Sequence, residues 1–166
     1  MASRIVCLID AVNGRLYQLA GLLTLALTVL VFGIVVLRYV ANSGSTAVQE
    51  AALYLHALIF MLAVAHALPR GEHVRVDVLS ARLGARGRRH VELFGTLVFL
   101  LPFAVFLLLM SWDYVGRAWA IRERSPDPGG LPILYLLKTM ILVMAGQLIL
   151  QGIAEVMRLT LRPPGP

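Results

Sequence analysis

Charge is scarce in this chain. Asp, Glu, Lys and Arg make up 14% of its 166 residues, and apolar residues make up 59%. Soluble globular domains run near about 25% charged and about 45–50% apolar. A water-soluble globular fold is therefore excluded. Cysteine is almost absent. Cys7 stands alone, which rules out an internal disulfide, and no small-residue lipoprotein box precedes it. Catalytic sets are missing as well. No H-E-x-x-H occurs, and Ser43, Ser45, Ser80, Ser111 and Ser125 lack a G-x-S-x-G context. Glu72, His73 and Asp77 show no recognised metal-ligand spacing. The residues therefore predict no enzyme and no cofactor. The net charge of +6 raises nucleic acid as a partner. The arginines, however, cluster between apolar blocks, as membrane loops require.

What the chain has is long apolar runs, and there are four. A span needs about 20 apolar residues. The runs predict an all-α integral membrane protein with four transmembrane helices, at about 16–37, 48–68, 91–112 and 131–157. They form one membrane domain over residues 1–158, followed by a disordered tail at 159–166. The first run is too long for a signal-peptide core, and no A-x-A site follows it, so it is read as an uncleaved helix. Before it, Ile5, Leu8, Ile9, Val12 and Leu16 recur at helical spacing. They predict a short interfacial helix lying on the membrane before the chain turns inward. Pro102, inside the third run, removes one backbone hydrogen bond and predicts a kink.

Arginine counting sets the orientation. Ten arginines fall before the first span, between the second and third, and after the fourth; four fall in the other two loops. The positive-inside rule then places both termini and the 69–90 loop in the cytoplasm. That loop opens with Arg70-Gly71-Glu72-His73-Val74-Arg75-Val76-Asp77. A topology signal alone accounts for the arginines. It does not account for the interleaved acids, or for Val76, Leu79 and Leu83 on one helical face. An interfacial helix over about 76–83 is predicted there, with its arginines near lipid phosphates.

The segment from Glu50 through Leu68-Pro69-Arg70-Gly71-Glu72-His73-Val74-Arg75-Val76-Asp77-Val78-Leu79 resembles the small, DctQ-type membrane subunit of TRAP (tripartite ATP-independent periplasmic) transporters. So do Glu123-Arg124-Ser125 through Gly129-Gly130-Leu131-Pro132, Lys138 and Leu150-Gln151-Gly152. The resemblance implies a non-catalytic scaffold in an importer of organic anions such as carboxylates, driven by an ion gradient, usually sodium. It implies two protein partners: a large, DctM-type membrane subunit and a periplasmic substrate-binding protein. Many members have paired acids before the second helix. Here Gln49 precedes a single Glu50, so a paired-acid role is not carried over.

Several residues are singled out for structure or partner contact: Glu50, Arg70, Gly71, His73, Arg75, Asp77, Lys138, Gln147, Gln151 and Glu155. Glu50 has three open roles: a helix-dipole cap, a contact with the large subunit, or ion coupling. Lys138 either snorkels to the surface or pairs with an acid such as Asp113. Gln147, Gln151, Glu155 and Arg158 form one stripe that lipid disfavours, so it should meet another helix or a partner chain. Glu155 and Arg158 can pair at i, i+3. A haem- or quinone-binding anchor of an electron-transfer complex is the alternative reading. His56 and His66 cannot share one haem, because ten residues put them about 15 Å apart along a helix.

Overall fold

The computed structural model describes residues 2–67 and 84–161, and those residues contain helices and no strand. Four helices are long and apolar enough to cross a membrane: Val6–Val40, Thr46–His66, Arg89–Ala120 and Leu134–Leu161. The 70–77 run, the interfacial helix predicted at about 76–83 and the last five residues lie outside the described residues.

The first helix, α1, runs Ala2–Val40 without a break. This corrects the expected turn between an interfacial helix and the first span. Nothing between Ala2 and Val40 stops a helix: there is no proline, and Asn13-Gly14 is tolerated within it. The apolar spacing of Ile5 to Leu16 is helical, as read, but continuous with the span. At 39 residues α1 is about 58 Å long, nearly twice the hydrocarbon thickness. It ends where Asn42 adopts a left-handed backbone (φ 46°), and the amides of Ala41 and Ser43 both donate to Leu37 O.

Helix α2 spans Thr46–Ala67. The third span has three parts: α3 (Ala85–Gly95), a π turn (Thr96–Leu100) and α4 (Leu101–Ala120). The π turn is the form taken by the break expected at Pro102. Proline has no N–H and its ring presses on the carbonyl four residues back, so widening the preceding turn relieves both problems. The span ends at Ala120, about eight residues past the apolar run, because nothing breaks the helix before Arg122 (φ 46°) and Pro126. Helix α5 spans Leu134–Leu161, starting just after Pro132.

Helices α1, α2 and α5 pack against one another, whereas α4 rests on α5 alone among the described helices. The buried apolar side chains are mostly small: Ala20, Ala65, Ala104, Ala118, Ala145 and Ala154. Large ones such as Leu22, Phe32, Phe60, Phe99 and Trp112 point outward. Membrane helices pack this way, because burying leucine away from lipid gains little and small residues allow close backbone approach. Gly152 is the tightest point. A Cβ there would lie 2.8 Å from Leu101 Cδ2, just after the π turn.

Candidate functional site

Two groups of polar side chains tie the helices together, one at each end of the bundle. The first is built on Glu50, in the second turn of α2. It is 7% exposed, and both carboxylate oxygens are used by the loop between α4 and α5. Ser125 Oγ donates to Oε1, and the Leu131 amide donates to Oε2 at 2.7 Å. The loop is folded around this acceptor. Ser125 N donates to Leu131 O, Gly130 N to Asp127 O, and Asp127 N to Ser125 Oγ. Gly129 takes a left-handed backbone, φ 79°. Gly130 must lack a side chain, since a Cβ would sit 2.5 Å from Ser125 Oγ and 2.7 Å from Glu50 Oε1. Glu50 is therefore not a helix cap: the first turn of α2 holds no acid, and the carboxylate reaches 75 residues along the chain.

Beside this clasp, Lys138 Nζ pairs with Glu123 Oε2 at 2.5 Å and sits 4.1 Å from the centre of the Tyr114 ring. The acid is Glu123, not Asp113. Because α4 runs on to Ala120 and the chain then turns back, Glu123 is delivered above the start of α5. Asp113 is exposed on α4, whereas its neighbour Tyr114 meets the lysine. Trp119 closes the same corner. Its indole N–H donates to Thr139 Oγ1 at 2.8 Å, and its ring meets Tyr135 edge-on.

The second group lies where the start of α1 meets the end of α5. Arg158 bridges two acids: its Nη1 lies 2.7 Å from Glu155 Oε2, and its Nη2 bonds Asp10. Asn13 Nδ2 donates to Gln151 Oε1 at 2.5 Å in a buried contact. Gln147, one turn further along α5, is buried beside this row. The stripe on α5 thus faces α1 of its own chain. Nearby, the ring of His66 stacks on Tyr17 at 4.5 Å and passes close to Gly14. Among the described residues, no three His, Cys, Asp or Glu side chains converge as metal ligands.

Of the singled-out residues, Glu50 and Lys138 meet at the loop end. Gln147, Gln151 and Glu155 line the other end, and Arg70, Gly71, His73, Arg75 and Asp77 lie outside the described residues. Asp10, Asn13, Ser125 and Glu123 were not picked out individually. Glu123 and Ser125 stood within a longer stretch that carried the resemblance, and Asp10 and Asn13, three residues apart, interrupt the apolar spacing at the start of α1.

Residues 27–162 match the family model described as "Tripartite ATP-independent periplasmic transporters, DctQ component". The chain belongs to the DctQ family. That family is described as a component of TRAP transporters, and the four long apolar helices support a multi-pass inner-membrane protein. The chain is 30% identical over 114 residues to the C4-dicarboxylate TRAP transporter small permease protein DctQ of Vibrio cholerae, which covers 66% of this chain and 49% of that protein. The chain thus spans about half the length of the curated relative it matches. No solved structure matches. The DctQ match takes in Glu50, the loop that closes on it and the whole polar stripe of α5. Asp10 and Asn13 precede it. Membership favours transport over the haem or quinone alternative.

Proposed function

We propose that this chain is the scaffold subunit of a sodium-driven TRAP importer for organic anions such as carboxylates. In this reading a large DctM-type membrane subunit carries the moving parts, a periplasmic binding protein delivers the substrate, and membrane phospholipids surround the 69–90 loop. One observation carries the scaffold role. Glu50, Lys138 and Arg158, three charged groups packed among the described helices, are each committed to neighbours in their own chain. Such groups in a membrane usually mark an ion or substrate path. Here they hold helices and a loop in place.

The test is reconstitution. Purified alone into liposomes with a sodium gradient, the chain is expected to take up no dicarboxylate, keto acid or sugar acid. Uptake of one of these is expected only when the large subunit and the binding protein are added. Sodium-driven uptake by this chain alone would refute the scaffold role.

Both termini are proposed to be cytoplasmic, on the ten-to-four arginine bias. Alkaline phosphatase fused after Pro166 should be inactive, and fused within 125–130 it should be active. The opposite pattern reverses the orientation.

A further inference from the structure

Most of the polar side chains among the packed helices bond to a neighbour, but the glutamine row does not close. Gln147 is 5% exposed and Gln151 is 1% exposed. Asn13 satisfies Gln151 Oε1. Gln147 Nε2, Gln147 Oε1 and Gln151 Nε2 have no partner among the described residues. The two glutamines are one turn apart on α5, so their side chains share a face. An unmade hydrogen bond is most unfavourable where bulk water is absent, as inside a bilayer.

Two constraints identify what completes the row. The first is enclosure. The three atoms are shut in by this chain's own packing, so a partner's side chain or a lipid headgroup does not reach them. The occupant must be small. The second is the donor and acceptor count. Two NH₂ groups require an acceptor, and one carbonyl requires a donor. A metal cation is repelled by the amide hydrogens. A halide or a carboxylate has nothing to donate to Gln147 Oε1. Water accepts and donates, and buried waters typically make about three such bonds. Exchanging O and N on Gln147 leaves it one donor and one acceptor, so the count stands.

We infer that α5 carries an internal water site, in which one buried molecule bridges Gln147 and Gln151 beside Asn13. The site completes a polar seam between α1 and α5 that starts with Asp10, Arg158 and Glu155 at the helix ends.

X-ray hydroxyl-radical footprinting of the full chain in lipid nanodiscs tests this, because the radical forms from the water itself. Leu148 is buried at 6% exposure, next to Gln147 and three residues from Gln151. It is expected to be labelled in the wild type. In Gln147→Met, which keeps side-chain length but removes the amide, its labelling should fall severalfold. An unlabelled Leu148 in the wild type overturns the proposal, and so does equal labelling in the variant. Thermal melting gives a second, independent readout. A bridged pair loses bonds in Gln147→Met, and the midpoint should fall by roughly 2–4 °C. A dry pair would lose only an unpartnered buried amide, and an unchanged or raised midpoint overturns the site.

Discussion

Glu50→Ala is expected to free the loop between α4 and α5. The variant deletes an acceptor for two hydrogen bonds, from Ser125 Oγ and the Leu131 amide, at a position 7% exposed. Bonds to a charged group contribute about 1.5–3 kcal/mol each. Water enters the opened loop and recovers part of this, so a net loss of about 3 kcal/mol is expected. For a chain of this size that lowers the melting midpoint by on the order of 6–12 °C. Trypsin should also cut faster after Arg122 and Arg124, which flank the clasp. Glu50→Gln keeps one carbonyl acceptor and should fall between the two. Gly130→Ala should act like Glu50→Ala although it removes no charge, because its methyl group would press on both Ser125 and the Glu50 carboxylate. Wild-type melting and wild-type trypsin resistance in Glu50→Ala would show that the clasp does not hold the loop.

Gly152→Leu should be the second severe substitution. By intrinsic preference it ought to help, since leucine is favoured over glycine in a helix by nearly about 1 kcal/mol. Packing opposes this. Even the first carbon of a side chain meets Leu101 Cδ2 at 2.8 Å and Leu101 Cγ at 3.1 Å. Three more carbons have no room, and α4 must move off α5. Overpacking of this kind costs about 1–3 kcal/mol, occasionally more. Gly152→Ala sets a mild clash with a movable leucine end against a gain in helix preference, and should be near neutral. Adding Leu101→Ala to Gly152→Leu should restore much of the lost stability. A Gly152→Leu protein that melts at or above the wild type would remove the close approach as a cause of the α4–α5 fit.

The spans were legible because hydropathy is a property of each residue, summed along the chain. The polar stripe on α5 was legible because helical spacing puts Gln147, Gln151, Glu155 and Arg158 on one face. The partners of these residues were less so. Whether Lys138 meets Asp113 or Glu123 depends on where α4 stops, and hydropathy placed that end too early. Glu50 was marked as costly in a membrane, but its bonds run to Ser125 and Leu131 through a loop whose shape depends on Gly129 and Gly130. Asp10 was hidden for the opposite reason. It sits in a segment whose apolar spacing described it well enough as a surface helix, and only the register of α1 against α5 brings it to Arg158. Pro102 announced a break, but a π turn and a kink read alike in a sequence.

The packing of α4 on α5 alone bears on the order in which the chain is made. Synthesis delivers α1 and α2 first, and they pack on each other at once. The third span follows while α5 is still unmade, so it has no helix to lean on and must stay in the bilayer by its own affinity for lipid. It is equipped for that: the first and third spans are the most apolar of the four, and the second and fourth are less so. The fourth arrives last, carrying the glutamines and the Glu155–Arg158 pair, at the moment when every described helix it touches is already waiting. Gln151 and Arg158 thus arrive only when their partners on α1, Asn13 and Asp10, are already in place.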